Sequence, residues 1–477
     1  MSGYNTRFRN TIAQLVAQGA EVLVVTTGAG RSLPGVAFPA GVAPPAEFAG
    51  AQVVGAPAFG CPLYWQAPLS FAASPEVWSR LRGFKPDVIH VTSPGVMLLA
   101  AGLYARRLDV PLVMSYHTDV PSYVERYGFG FLKPLLWACI RAAHRAAHLS
   151  VAASESLAAV LVAEGAAPAR LVSHWRKAVD CEVFNPKWSS PAARAALAPA
   201  PAAEPAPAAQ RGAENESDEP LLLYVGRLGA EKNVDFLRPL LASVPRARLA
   251  IVGDGPARAE LEAAFAAEPA VARRVSFAGT LRGAALSAAF ASADVFVMPS
   301  ETETLGFVVL EAMASGLPVV AVAAGGIPDI ITQPGANGFL YPPGDAAAAS
   351  AAVSTLLQDA ALRRRVGQAA REESTRWDWA AATDDLLTAQ YPRAVAAHRA
   401  GLHRAPARRE AQHAQHGAAA AAEPAASSMM AASGAGMLAA TAKLVALRKV
   451  ASRARLATGG ARTAGKALMR RALTSIL

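Results

Sequence analysis

Short runs of β-branched and aliphatic residues alternate with alanine- and leucine-rich stretches of helical length, and the alternation occurs twice along the chain. The first series has its apolar runs at 22–27, 87–92 and 111–116. The second has them at 221–225, 247–252, 275–278, 295–299 and 319–322. Strand-length apolar runs, each followed by a helical segment, are the pattern of a parallel sheet covered by helices, so each series predicts one doubly wound α/β domain. Between them, residues 189–219 are rich in Pro, Ala, Glu and Ser and almost free of large apolar side chains, a composition that cannot bury enough surface to order itself. The expected organisation is therefore a first domain at 1–180, a disordered insertion at 189–219, a second domain at 220–376, a closing helix at 377–400 and an alanine-rich basic tail at 401–477 outside the core.

At 477 residues the chain exceeds what one hydrophobic core usually fills, which agrees with two domains. Its net charge of +10 points to nucleic acid only until it is located. Residues 401–477 carry twelve basic and two acidic side chains, so the other 34 of the 46 basic and 34 of the 36 acidic groups fall in a neutral body. A basic DNA-binding body is not supported by that balance. No apolar run reaches the roughly 18–20 residues that span a bilayer. The three cysteines, Cys61, Cys139 and Cys181, are widely separated and lack Cys-x-x-Cys spacing, so neither a disulfide framework nor a zinc site is expected. The chain opens on a loop-like Met1-Ser2-Gly3-Tyr4 that runs into a helical pattern, whereas a doubly wound domain begins with a strand. The expectation is that a first strand, and any targeting peptide ahead of it, lies outside this sequence.

Two segments carry the chemistry. In the first, the apolar run 222–225 ends in Gly226-Arg227, with Lys232 five residues on. Ligands of open α/β sheets bind beyond the carboxyl ends of strands, where an arginine and a lysine suit a diphosphate. The same residues equally suit a solvated turn. The second segment runs from Met298 to Glu311 and holds Glu303 and Glu311, with Thr304, Leu305, Gly306 and Phe307 between them. One acid in the loop and the other expected two turns into the following helix approach one ligand from different sides, while amides at 305–307 offer donors to phosphate. Carboxylates accept hydrogen bonds from sugar hydroxyls. Helix-dipole preference explains one glutamate better than both. Gly325-Gly326 permits close approach of a loop to the ligand, and Gly253-Asp254-Gly255-Pro256 reads as a tight turn because it lacks the third glycine of a dinucleotide fingerprint.

Taken in order, Gly226-Arg227 with Lys232, the Glu303/Glu311 pair and Gly325-Gly326 resemble the retaining family-four glycosyltransferases of the GT-B fold, two Rossmann-like domains facing a cleft. The segments Ser115-Tyr116-His117-Thr118-Asp119-Val120-Pro121, Gly279-Thr280-Leu281 and Glu301 to Gly306 resemble, more narrowly, the sulfoquinovosyltransferases of plants, algae and cyanobacteria. The likeness covers roughly residues 2–391. It implies transfer of sulfoquinovose from UDP-sulfoquinovose to diacylglycerol, at a chloroplast inner-envelope or thylakoid surface, with neither a metal nor another cofactor. It further implies that Arg227 and Lys232 neutralise the departing diphosphate, Glu311 holds the ribose and Glu303 the sugar hydroxyls. The same likeness implies that the base lies near Thr280, Leu281 and Arg282, that Gly3 belongs to the donor-binding set, and that His117 stands near the sugar and acceptor. Retention follows from same-face attack in which a phosphate oxygen of the leaving UDP takes the acceptor's proton. A lone histidine at a strand end is otherwise commonly structural.

The sequence departs from that family pattern at Asp119, where relatives often carry a second histidine, and at Ala178, where they carry glycine. If position 178 needs a positive φ, alanine costs on the order of 1 kcal/mol there. Membrane contact is expected through 123–148, which mixes Tyr127, Phe129, Phe131 and Trp137 with Arg126, Lys133, Arg141 and Arg145, and through the basic tail. An amphipathic helix packed on the sheet and a solvated tail explain the same compositions. Arg126 and Lys133 are the expected partners of the sulfonate. Other readings remain open: a lipid glycosyltransferase using UDP-glucose or a mannose donor, a GT-B-fold sugar-nucleotide 2-epimerase, and an inactive membrane-bound scaffold.

Overall fold

The computed structural model describes residues 3–30, 44–61, 64–93, 95–126, 128–198, 219–402 and 444–448. The chain divides into two compact units, Met1–Arg176 with Trp379–Leu477, and Lys177–Asp378.

The first unit is built on β1 (Glu21–Gly30), β2 (Glu47–Phe48), β3 (Ala51–Cys61), β4 (Tyr64–Leu69), β5 (Val88–Ser93), β6 (Leu112–Tyr116), β7 (Leu149–Ala152) and β8 (Val172–His174). Every residue of β5, β6 and β7 is buried, as expected of parallel strands covered on both faces. Alternate side chains feed two cores. Val22 and Val24 join Phe8, Ile12 and Leu15 of the helix Gly3–Ala17 on one face, while Leu23 and Val25 join Leu81, Met97 and Tyr104 on the other.

The strand order is β2-β3-β1-β15-β5-β6-β7-β8, where β15 is Leu444–Arg448 from the distal part of the chain. In the doubly wound order 3-2-1-4-5-6 the central position belongs to the first strand. Here β15 holds it, antiparallel to β1 and β5, among otherwise parallel central neighbours. Leu444 and Ala446 are fully buried in the second of the two cores. The tail therefore contributes to the core at 444–448, against the expectation that all of it lies outside. Residues 403–443 and 449–477 of the basic tail fall outside the described residues, and the expected first strand has no counterpart among them. Gly3 itself opens a helix rather than lying in a loop.

The closing segment continues this unit. It is a helix Trp379–Asp385, a π-helical turn Leu386–Gln390 and a helix Tyr391–Arg399, with Leu386, Leu387 and Tyr391 in the first core. A chain of ring nitrogens ties its end down. The Leu112 N–H donates to His148 Nδ1 at 2.9 Å, so the His148 proton sits on Nε2 and is donated to His398 Nδ1 at 3.0 Å.

The second unit holds β9 (Leu221–Val225), β10 (Arg248–Val252), β11 (Val275–Gly279), β12 (Val295–Met298), β13 (Val319–Val322) and β14 (Phe339–Tyr341), all parallel in the order β11-β10-β9-β12-β13-β14. Part of the stretch expected to be disordered is ordered here. Ser190 caps a helix Pro191–Leu197 by accepting from the Ala193 N–H, with Pro191 at the first helical position. Leu197 is buried, and Arg194 Nη2 reaches Asp294 Oδ2 at 2.7 Å. Residues 199–218 lie outside the described residues. Ala178 is buried, and among the described residues the non-glycine positions with positive φ are Ala49, Ala72, Lys85, Asp109 and Asn233. The strain expected of Ala178 is thus not present. No helix among the described residues is long and apolar enough to cross a membrane.

The position of β15 makes a prediction. Ending the chain after Leu402 removes the buried Leu444 and Ala446 and two rows of ladder hydrogen bonds, a loss on the order of 3 kcal/mol. The unfolding midpoint should fall by roughly 6–12 °C, and ending the chain after Arg448 should leave it unchanged. Equal midpoints for the two truncations would show that β15 adds no stability.

Candidate active site

In the second unit β9 sends its chain to β10 and β11 on one side, while β12, β13 and β14 lie on the other. The switch in direction falls between β9 and β12, and ligands of such sheets bind beyond the carboxyl ends of the strands at that point. The two segments singled out in the sequence leave the sheet there. Val225 ends β9 and leads to Gly226, Arg227 and Lys232; Met298 ends β12 and leads to Glu303.

The loops are tied together by side chains and backbone. Lys232 Nζ lies 2.5 Å from Glu303 Oε1, both largely shielded from water. Arg227 Nη1 lies 2.8 Å from Oε1 of Glu231, which is buried, and Thr302 Oγ1 donates to the Glu231 carbonyl at 2.9 Å. Tyr224, buried in β9, directs its hydroxyl at the Arg227 carbonyl at 3.3 Å, and burial raises its pKa. Glu231, Thr302 and Tyr224 are functional neighbours that sequence reasoning missed. The Glu231-Lys232-Asn233 run was visible, yet only packing shows which of its charges turns inward.

Two glycines hold the loops close. Gly253 has φ +144°, and a Cβ there would overlap the Gly226 carbonyl, so the turn after β10 acts as a support for the Arg227 loop. Gly325 has φ +58°, and the Gly326 N–H donates to the Glu303 carbonyl at 2.6 Å. The close approach expected between Gly325-Gly326 and the ligand is therefore an approach to the Glu303 backbone.

The helix Phe307–Ala314 starts just after Gly306, with its N-terminal amides at the β12 end of the switch point, where an anion is favoured. Glu311 is its fifth residue, one turn in rather than two, and burial pushes its carboxyl up to about 8. Thr304 and Leu305 complete the connection. Thr280, Leu281 and Arg282 follow β11, two strands from the switch point, where the Gly253 N–H donates to the Gly279 carbonyl at 2.8 Å. Gly3 and His117 belong to the first unit. His117 follows β6 and is buried with Phe8 and Trp175, ring centroids 5.4 Å away in each case. Burial, the charge of Arg7 and His90 hold its pKa well below the ordinary value, so the imidazole is neutral. Asp119 accepts from Tyr116 Oη at 3.1 Å and Ser122 Oγ at 2.5 Å, a local structural role. Of the two expected sulfonate partners, Lys133 is paired with Glu125 at 2.6 Å on the exposed surface, and the Arg126 side chain lies outside the described residues.

Residues 207–373 match the family model described as Glycosyl transferases group 1, and residues 1–183 match that described as Glycosyltransferase Family 4. A sulfoquinovosyl transferase of Arabidopsis thaliana is 46% identical over 397 residues, covering 83% of this chain and 71% of its own. The chain belongs to the family-four GT-B glycosyltransferases. A GDP-mannose-dependent alpha-mannosyltransferase of Mycolicibacterium smegmatis is 34% identical to this glycosyltransferase over 391 residues, covering 81% and 92% of the two chains. Among solved structures, sucrose-phosphate synthase from Thermosynechococcus elongatus superposes with a TM-score of 0.61 at 23% identity, covering 81% and 92%. The Anabaena HepE structure with UDP and glucose gives 0.57 at 20% identity, covering 81% and 95%. Both carry the same GT-B fold.

Glu311 gives this glycosyltransferase a pH signature. Its folded pKa, about 8, lies above the ordinary 4.5, so between those values the folded state binds the proton more strongly than the unfolded. Without ligand, stability should fall as pH rises from 4.5 to 8, by at most about 1.4 kcal/mol per pH unit from this group. Glu311→Gln lacks that component and should gain on the wild type across the window in denaturant titrations. Parallel curves would mean that Glu311 is charged in the folded protein.

Proposed function

We propose that this glycosyltransferase moves sulfoquinovose from UDP-sulfoquinovose to diacylglycerol with retention at the anomeric carbon. The observation that carries the reading is the 46% identity, over 83% of this chain, to a protein described as a sulfoquinovosyl transferase.

In this reading the donor lies across the switch point of β9 and β12. Arg227, Lys232 and the N-terminal amides of the helix Phe307–Ala314 meet the charge that develops on the leaving UDP. They are fixed before reaction, and no metal is required. Glu303, held by Lys232, accepts hydrogen bonds from the sugar hydroxyls, and its side chain is aimed by that ion pair. Glu311, protonated by burial, can both donate to and accept from the ribose hydroxyls. The base lies against Thr280–Arg282. The acceptor hydroxyl attacks from the face that UDP leaves, and a phosphate oxygen of UDP takes its proton. On the first unit, His117 is a neutral imidazole at the carboxyl end of β6 and is the candidate hydrogen-bonding group of the acceptor side.

Diacylglycerol requires that the protein reach a bilayer surface. Phe129, Phe131 and Leu135 are exposed at 39, 76 and 60%, with Lys133 beside them, while Trp137 and Ile140 of the same region are buried. The helix Lys133–His144 thus packs one face inward, and with the turn Gly130–Leu132 before it presents an apolar, basic edge suited to a membrane interface. The proposed location is the chloroplast inner envelope or thylakoid surface.

The mannosyltransferase relatives, at 34 and 37% identity, favour one second reading, a mannose donor. Incubation with diacylglycerol liposomes and UDP-sulfoquinovose, UDP-glucose or GDP-mannose separates the donors. Sulfolipid should form from the first alone, in EDTA as well as in magnesium, and Glu303→Ala should lower the rate by roughly 10²-fold or more. Mannolipid as the main product, or a rate abolished by EDTA, would refute the donor or the metal-free chemistry respectively. Product appearing without acceptor would identify an epimerase instead.

A further inference from the structure

Glu231 lies in the single helical turn Ala230–Lys232 that follows β9, and at 2% exposure it is buried. Adjacent residues of that turn take different partners. Glu231 Oε1 meets Arg227 Nη1 at 2.8 Å, and Lys232 Nζ meets Glu303 Oε1 at 2.5 Å. The turn is closed by the Lys232 N–H, which donates to the Gly229 carbonyl at 2.9 Å, and it ends at Asn233 with a left-handed φ of +51°. A Cβ at Gly229 would overlap the Glu231 carboxylate, so this glycine makes the room that the inward carboxylate fills. From the other side Thr302, the residue before Glu303, donates its hydroxyl to the Glu231 carbonyl at 2.9 Å.

Burying a carboxylate is costly unless a charged partner offsets the loss of water. Here that partner is the arginine at the diphosphate end of β9. Arg227 is held through one nitrogen while 40% of its side chain stays exposed, so the pair anchors the guanidinium and still leaves part of it open to a ligand. Its backbone is fixed as well, because Tyr224 Oη donates to the Arg227 carbonyl at 3.3 Å and the next residue's amide, Leu228 N–H, donates to the Asp254 carbonyl at 3.0 Å. An arginine otherwise carries its charge on a long, flexible stem. A cation that must reorganise as charge develops on a leaving group stabilises it less than one already in place. Through Thr302 the same anchor is joined to the loop that carries Glu303.

We propose that Glu231 is a positioning residue for the transfer reaction: its buried carboxylate aims Arg227 at the donor's diphosphate, and its carbonyl, held by Thr302, keeps that aim in register with the Glu303 loop. Glu231 acts through Arg227 and touches neither sugar nor phosphate itself. The inference rests on the placement of the diphosphate at Arg227 in the reading above, and not on which sugar or base the donor carries.

The test is a double-substitution cycle on the full-length protein: wild type, Glu231→Ala, Arg227→Ala and the two together, with Glu231→Gln beside them. Affinity for UDP is measured, and kcat and KM for transfer from UDP-sulfoquinovose to diacylglycerol in liposomes. Glu231→Ala should lower kcat/KM about 10- to 100-fold, the range for one charged hydrogen bond, with most of the loss in kcat because the aim of a cation matters most where charge develops. UDP affinity should fall about tenfold. In the Arg227→Ala background the same substitution should change either quantity less than about threefold, since the group it positions is gone. Glu231→Gln keeps an acceptor oxygen for Arg227 and should fall between wild type and Glu231→Ala; it also serves if the alanine variant does not fold. Equal losses from Glu231→Ala with and without Arg227, or unchanged kinetics in both Glu231 variants, would overturn the assignment and leave Glu231 a structural residue. An Arg227→Ala protein that binds UDP as the wild type does overturns the diphosphate placement and this inference with it. A wild type that binds UDP but makes no product from UDP-sulfoquinovose overturns the donor reading alone, and the cycle in UDP affinity then decides the role of Glu231.

Discussion

The interlock of loops at the carboxyl ends of β9, β10, β12 and β13 determines what the rest of the second unit can do. The turn at Gly253 lies against the Gly226 carbonyl, and the Gly326 amide holds the Glu303 carbonyl. Between them, the Lys232–Glu303 and Arg227–Glu231 pairs close the remaining distance. Positive charge is thus held in place by backbone contacts that tolerate only glycine, and it does not depend on the flexible stems of lysine and arginine alone. Such fixing is what electrostatic stabilisation of a leaving group requires, because charges that reorganise during reaction lose their advantage.

The sheets set where those loops emerge. Parallel strands covered on both faces put every carboxyl end on one edge, and the reversal between β9 and β12 opens that edge. The first unit obeys the same rule, with His117 and Trp175 at its own carboxyl edge and Arg7 brought there by the helix Gly3–Ala17. Its sheet is completed by an antiparallel strand from the far end of the chain. This central strand contributes two ladders and adds Leu444 and Ala446 to one of the cores, so its source matters more to that unit than that of an edge strand.

Much of the architecture was legible before folding. The runs at 221–225, 247–252, 275–278, 295–299 and 319–322 became β9 to β13 within a residue or two, because continuous apolar runs bounded by turn residues have few other ways to be buried. Arg227, Lys232 and Glu303 converge at one strand edge for the same reason, their places after strands being readable from the pattern. The helix Pro191–Leu197 was missed despite a Ser-Pro start, since composition averaged over thirty residues hid one turn-sized signal. Strand β15 was missed because four apolar residues and an arginine in an alanine-rich tail carry no periodicity of their own.

By itself, the sequence determined the two α/β units, the neutrality of the body and the residues that follow β9 and β12, since periodicity, charge and strand ends are local properties. Tertiary structure alone decided which charges are paired, that Glu311 holds its proton and that Ala178 is unstrained. It also decided that Arg7 is buried beside Trp175, some 170 residues away in the chain, and that Leu444–Arg448 lies between β1 and β5. Those outcomes depend on desolvation and on contacts between distant segments, and neither is written in the neighbours of a residue along the chain.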